Sequence, residues 1–410
     1  MINLEEARAA ALEVLRFNAQ GTVPGLPRTA GWGYPEPYTR DLMLSAFGIL
    51  PAGDPGLVEM LRRVLDSLVE TQSPLGQISS LAHDPTDLGS SDATPLFLIG
   101  SGLYRLSTGE DHLFEAAVEK AFRWMSYQRP DEISLVAQMP TSDWRDEQWV
   151  FGYGLYVNTL YYIALRLHHL DEEAERFRRV MNHFDLRSRR MNRRIHEGLA
   201  ITDRPYFALW AYKMYNNERF DLLGNSLAVL SGLVTRERAA EIMQWLKLAS
   251  ADLRLHGELA VDLPPCLIPY IQHGDPDWYP RMEQYNLPGS YHNGGIWPFI
   301  CGFYIAALIK TGEREFAESQ LQALTELVRK GKETGLVFGF NEWYQAQTGL
   351  PQGQDWQTWS AAVYLYALEA GQQGTAPYFE TGFPFLEQEP PAEGEHKNPG
   401  EDSWRGDLLS

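Results

Sequence analysis

Cysteine is nearly missing from this chain: 410 residues contain two, Cys266 and Cys301. Two cysteines cannot build a disulfide framework. Neither has His or Cys neighbours at ligand spacing, which argues against structural zinc and makes a reducing compartment, the cytoplasm, the expected location. Positive charge is also in short supply. With 35 Lys and Arg against 54 Asp and Glu the formal net charge is -19, which repels a phosphate backbone and an anionic membrane surface, so neither nucleic acid nor membrane is an expected partner. The one basic run, Arg176 to Arg194, reads as a solvated helix face. No apolar run is long enough to span a bilayer: the longest, Ile296 to Ile309, has fourteen residues and stops at Lys310. The opening MINLEEARAAALEVLRF is acidic at its head, with no basic segment ahead of an apolar one, and is not read as a secretory signal. HExxH, P-loop and GxSxG patterns, and a GxGxxG after a strand, do not occur. Metalloprotease, NTPase, serine hydrolase and dinucleotide chemistry thereby lose their main sequence support.

What remains is apolar and aromatic. At 44% apolar and 22% charged residues the chain can bury a sizeable core. Apolar residues return at three and four positions over Leu4–Phe17, Gly56–Glu70, Leu113–Tyr127, Gly154–His168, Arg236–Leu248, Gly302–Thr311, Glu313–Lys330 and Ser360–Glu369, with Thr235 placed to cap the helix that follows it. Alternating β patterns are scarce, so the expected class is all-α, with short strands near Ile133–Met139 and Leu336–Phe340 as minor ribbons. Polar-aromatic clusters interrupt the helices near Asp41, Asp92, Asp143, His292 and Glu342, the first three 51 residues apart and the last two 50. Helical hairpins of about fifty residues give that spacing, and a closed ring of six pairs, an (α/α)6 toroid of about twelve helices, would turn all these loops toward one funnel. Residues 1–385 then form one domain, and the proline-rich, acidic segment 386–410 is read as a loosely ordered tail.

The clusters carry the chemistry. Gly339 to Ala361, GFNEWYQAQTGLPQGQDWQTWSA, sets Glu342 among Trp343, Tyr344, Trp356 and Trp359, flat faces of the kind a sugar ring stacks on. Tyr38-Thr39-Arg40-Asp41 puts a donor beside an acceptor at a helix start, which matches vicinal hydroxyls. Asp92 enters a helix from the loop Ser90-Ser91 in the same layout, where it would also serve as an N-cap. Asp143, Asp146 and Glu147 crowd around Trp144 and Arg145, and like charges at that density hold a carboxyl protonated, as a general acid requires. Asp143 and Asp146 are both candidates. His292 and Asn293, beside a Gly-Gly turn and Trp297, supply polar wall residues, His292 also being a possible base. No metal or organic cofactor is called for.

Taken together, YTRD, SSDATPLFL, YHNGGIWPF and FNEWYQAQTG leading into QTWSAA resemble segments of the inverting (α/α)6-barrel glycoside hydrolases. That group holds the alkaline/neutral invertases, trehalases, processing α-glucosidases and mannosylglycerate hydrolases, and the likeness runs from Tyr38 to Leu368. The resemblance implies Glu342 as the base that activates water and an Asp of TSDWRDEQW as the acid, Asp143 before Asp146. It further implies a small saccharide or glycoside substrate, held by Tyr38, Arg40, Asp41, Asp92, Trp144, His292, Asn293, Trp297, Trp343, Trp356 and Trp359. Inversion requires two carboxyls about 6.5 to 9.5 Å apart. Sucrose is the leading substrate, with α-glucosides and glucosyl- or mannosylglycerate next. The rivals from other classes are a sugar epimerase, which needs a second His to partner His292, and a sugar-binding protein without catalysis. Oligomeric state is left open, a homo-oligomer included.

Overall fold

The computed structural model describes residues 3–130, 135–182, 199–201, 203–213, 215–333 and 335–387. Helices among them are numbered α1 to α13. Six lie inside: α2 (Thr39–Ala52), α4 (Ala93–Thr108), α6 (Leu155–Leu167), α8 (Leu222–Leu230), α11 (Pro298–Thr311) and α13 (Thr358–Gln373). Each packs on the next and α13 returns to α2, which closes the ring. Six more cover it: α1 (Leu4–Asn18), α3 (Pro55–Thr71), α5 (Glu115–Tyr127), α7 (Asp171–Asn182), α9 (Arg236–Leu255) and α12 (Arg314–Val328). The short α10 (Met282–Tyr285) sits in a loop. This is an (α/α)6 barrel.

Sequence decides which helix goes where. In α11 every residue from Pro298 to Ile309 is buried, the pattern of a helix surrounded by protein. By contrast α3 buries Leu57, Met60, Leu61, Val64, Leu65 and Leu68, a single stripe. Inner helices approach closely where a side chain is missing. A Cβ on Gly48 of α2 would stand 1.7 Å from the Ala362 carbonyl oxygen of α13. The expected cap holds: Thr235 accepts from the Arg238 amide at 3.2 Å.

Strands are minor. β1 (Tyr153–Gly154) pairs antiparallel with β2 (Trp210–Tyr212), and β2 with β3 (Tyr215–Asn217). β4 (Phe220–Asp221) pairs with β5 (Leu267–Ile268), and β6 (Trp343–Tyr344) with β7 (Pro351–Gln352). The strand expected over Leu336–Phe340 is absent, because the amides of Gly339 and Phe340 both turn back onto the Val328 carbonyl at the end of α12. Of Ile133–Met139, the described part makes a single bridge, Gln138 to Gly152. The basic run beyond Asn182 and the tail beyond Glu387 lie outside the described residues.

The hairpin period is longer and less even than fifty residues. Inner helices begin at intervals of 54 to 76 residues, because the ribbons and loops are inserted between them. A repeated device sits within five residues of the start of three of them. Asn158 accepts from the Val136 amide and donates to the carbonyls of Val136 and Gly154; Asn225 does the same with Phe207 and Asp221, and Asn293 with Ile271 and Asn286. Each buried amide thus splints the loop leading to its inner helix.

Candidate active site

All six inner helices start at one end of the barrel, so their unpaired N–H groups and positive dipole ends ring a common mouth. The acidic residues collect there. From α2, Arg40 reaches across to Asp92 of the next unit, Nε to Oδ2 at 2.6 Å and Nη2 to Oδ1 at 3.1 Å, while Ser90 Oγ donates to the same carboxylate at 2.7 Å. Asp92 is fully buried. Its charge is thereby matched by Arg40, while Asp41 beside it accepts from Gln357 Nε2 at 2.9 Å. Burial pushes the Asp41 carboxyl up to about 7 against the pull of Arg40.

Glu342 enters on a braced loop. The β6–β7 ribbon follows it directly, Tyr344 exchanges both backbone bonds with Ile296 at 2.8 Å, and the Gln354 amide donates to Glu342 Oε2 at 3.2 Å. Gly353, at φ +65°, lies so close that a Cβ would stand 2.2 Å from that oxygen. Burial first, then the negative charges of Asp41 and Asp146, raise the Glu342 carboxyl to about 8. Tyr34 and Tyr291 titrate higher than a free tyrosine, by burial first, and both feel Glu342 and Asp146. The carboxylates of α2, of the 141–147 loop and of the 339–342 loop therefore share one electrostatic environment.

The two aspartates of the 141–147 loop have opposite surroundings. Asp143 is fully buried, with Arg145 Nη2 at 2.9 Å, the Arg145 amide at 2.8 Å and Gln138 Nε2 at 3.0 Å. Burial is outweighed by that charge and those donors, and its carboxyl lies below the usual range. Arg145 also holds Asp221 at 3.0 Å, making a buried Asp-Arg-Asp chain under the mouth. Asp146 instead keeps 59% of its side chain exposed at the bottom of the open recess. The protein packed around that recess raises its carboxyl, with Glu147 and Asp143 adding to the shift and Arg40 opposing it. A group held ionised by three donors is badly suited to carry a transferable proton, and Asp146 has no such set of donors among the described residues.

His292 stands 3.9 Å from Asp146, Nε2 to Oδ1, too far for a hydrogen bond. Its ring stacks on Tyr291 with centroids 3.9 Å apart, and burial, with Arg145 nearby, keeps it neutral. Asn293 is corrected from a sugar ligand to a splint, since backbone groups take both ends of its amide. Trp144, Trp297 and Trp359 are buried in one cluster behind His292, with centroids of Trp144 and Trp297 5.3 Å apart and Trp359 on Phe299 at 4.2 Å. They form the wall's backing and offer no open face. Trp356 packs with Trp32 and Phe17 on the rim. Trp343, beside Tyr291 at 5.7 Å, and Tyr38, at the start of α2, are half-buried. Tyr34, Tyr291 and Gln357 escaped the sequence reading as ligands. Their signal was adjacency: Tyr291 precedes His292, Tyr34 stands six residues before Arg40, and Gln357 follows Trp356. Four mouth-loop residues other than glycine, Thr141, Tyr291, Phe340 and Trp356, have φ between +41° and +56°, strain that costs about 1–3 kcal/mol each and collects at functional sites.

The sequence profile of the alkaline and neutral invertases matches residues 141–373, more than half of the chain. The chain belongs to the alkaline and neutral invertase family. Within that family it is 32% identical over 152 residues to probable alkaline/neutral invertase D of Arabidopsis thaliana, covering 36% of this chain and 26% of the plant protein. To cytosolic invertase 1 of Oryza sativa subsp. japonica it is 31% identical over 152 residues, 36% and 25% of the two chains. The chain thus spans about a quarter of the length of these relatives. Its fold is similar to that of the GH63 mannosylglycerate hydrolase of Thermus thermophilus, with TM-score 0.58 at 14% identity over 88% of this chain and 99% of that one. A bacterial glucoamylase complexed with acarbose gives TM-score 0.59 at 16% identity over 90% and 56%. At such identities the likeness concerns the barrel alone. The invertase match takes in the loops of Asp146 and Glu342 and leaves Arg40, Asp41 and Asp92 outside it.

Proposed function

We propose that this protein is an inverting, exo-acting glycoside hydrolase for a small α-linked glycoside, with sucrose the first substrate to test. The observation that carries the reading is the pair Asp146 and Glu342. They come from loops nearly two hundred residues apart, and both are raised above ordinary carboxyls, by burial first, with Asp146 adding to the rise at Glu342. Raised carboxyls in a concave, aromatic-backed site are the groups that acid-base chemistry at a glycosidic bond uses. Asp146 would give its proton to the leaving oxygen as the carbon–oxygen bond breaks. Glu342, in the ionised form that grows as pH rises toward about 8, would take a proton from a water that attacks the anomeric carbon from the opposite face. Arg40, fixed by Asp92, and Asp41, fixed by Gln357, would hold the ring hydroxyls, with Trp343 and Tyr291 along its flank. The buried free thiols suit a reducing, cytosolic setting. A glucosyl- or mannosylglycerate remains the second substrate to assay, on the fold likeness to the mannosylglycerate hydrolase.

The test combines turnover, binding and stereochemistry. Glu342→Gln and Asp146→Asn should each lower kcat by about 10²–10⁴ on sucrose while calorimetric binding persists. Proton NMR of the first turnovers should show β-glucose from the α-linked substrate. Wild-type rates in either variant, or α-glucose as the first product, would remove this mechanism.

A further inference from the structure

On the Asp146 side the mouth opens into a groove of about 1280 Å³ that chemistry at one sugar ring leaves unused. Asp146 and Glu147 stand on its wall, whereas Arg40, Asp41 and Glu342 do not line it. A general acid delivers its proton to the oxygen that departs, so whatever lies past that oxygen extends to the acid's side. Pockets that enclose a drug-sized ligand run to roughly 300–1,000 Å³. A single leaving hexose would fill only a fraction of this groove.

The lining suits sugar units in series. Trp149 is 50% exposed and Tyr215 62%, so flat faces stand open toward solvent, and half-buried Trp278 lines the same groove. Phe151 packs on Trp210 with centroids 4.5 Å apart, and the buried Trp210 indole nitrogen has no hydrogen-bond partner among the described residues. The groove is also fastened to the acid loop. Tyr279 donates to the Glu147 carbonyl at 2.6 Å and the Arg281 guanidinium pairs with the Glu147 carboxylate, one residue past Asp146.

We infer that this groove is an extended leaving-group site, and that the preferred substrate is an oligosaccharide whose departing portion holds two or more sugar units. The inference rests on the proposed hydrolysis for its orientation. It is tested by kcat/KM on maltose, maltotriose and maltotetraose, and on sucrose with its fructosyl-extended trisaccharide. Calorimetric titration of the same sugars is run in parallel. In whichever series is cleaved, the step from two to three units should raise kcat/KM tenfold or more, and Trp149→Ala and Trp278→Ala should pull that trisaccharide-to-disaccharide ratio back toward one. Should no sugar be cleaved, affinity that grows with length and drops at least fivefold in Trp149→Ala would still support the groove while the hydrolase reading fails. Equal kcat/KM and equal affinity at all lengths overturn the groove, as does a length preference that both tryptophan variants leave intact.

Discussion

Glu342 shows at a single side chain how the site sets its own working conditions. Burial raises its carboxyl from the ordinary 4.5 to about 8, so the folded protein holds this proton more tightly than the unfolded chain does. Between those values the native state binds more protons, and stability falls as pH climbs; above about 8 the whole cost is present, and below the ordinary value it vanishes. Glutamine cannot ionise. Glu342→Gln should therefore melt with wild type near pH 4 and above it at pH 9, by up to about 5 kcal/mol. Thermal melts of both proteins across that range measure it, and a variant no more stable than wild type at pH 9 would contradict the raised carboxyl. The place of Glu342 beside the other mouth carboxylates was legible, because a carboxylate between aromatics and a turnable glycine loop is an uncommon string. The choice between Asp143 and Asp146 was not. Arg145 neighbours both, and only the backbone decides that its guanidinium folds back onto Asp143 and turns Asp146 to the recess. In the same way the sequence sets Arg40 beside Asp41 and gives no sign that its ion-pair partner, Asp92, comes from another hairpin.

At the level of elements, helices were readable because a buried stripe returns every three or four residues along one segment. The ribbons were not. They are two or three residues long and owe their existence to partners such as Trp210 for Gly154, more than fifty positions away. The same distance hid the asparagine splints, although Asn158, Asn225 and Asn293 fall 67 and 68 residues apart, a truer period than the carboxylate clusters gave. Asn293 is bonded to the Ile271 amide at 2.6 Å and to the Ile271 and Asn286 carbonyls at 2.9 Å, all in a dry interior. Asn293→Ala would strand those three groups, and a buried unsatisfied donor or acceptor costs about 1–3 kcal/mol. A loss of about 2–4 kcal/mol in urea unfolding is expected, with the m-value unchanged, and Asn158→Ala should match it because the construction is the same. A cost under about 1 kcal/mol in both would mean that the loops hold themselves.

Across the whole molecule the two ends of the barrel do different work. The mouth gathers helix N-termini, whose partial positive charge offsets part of the acidic load in a chain of net charge -19. Desolvated carboxylates are concentrated there, with four of the eight positive-φ residues other than glycine among the described residues, so stability has to be supplied elsewhere. Much of it comes from the closed ring, and Lys310 is one of the side chains that fasten the far end, with Arg166 and Tyr366. Lys310, in the last turn of α11, donates from Nζ to the carbonyls of Leu230 at the end of α8, Phe379 and Phe383, at 2.7 to 2.8 Å. An ammonium has three protons, and here each has a carbonyl. It thereby ties two inner helices to the segment that follows α13, at the end opposite the candidate site. Lys310→Met keeps the aliphatic stem and removes the donors, leaving three carbonyls without them. The expected result is a loss of about 2–4 kcal/mol in unfolding free energy, earlier proteolysis beyond α13, and an unchanged KM at temperatures where the variant is folded. A melting point equal to wild type would show that the packing of Phe379 and Phe383, with bonds such as Arg166 to the Gly382 carbonyl, holds the closing segment without Lys310. A changed KM would show that the two ends are coupled through the inner helices.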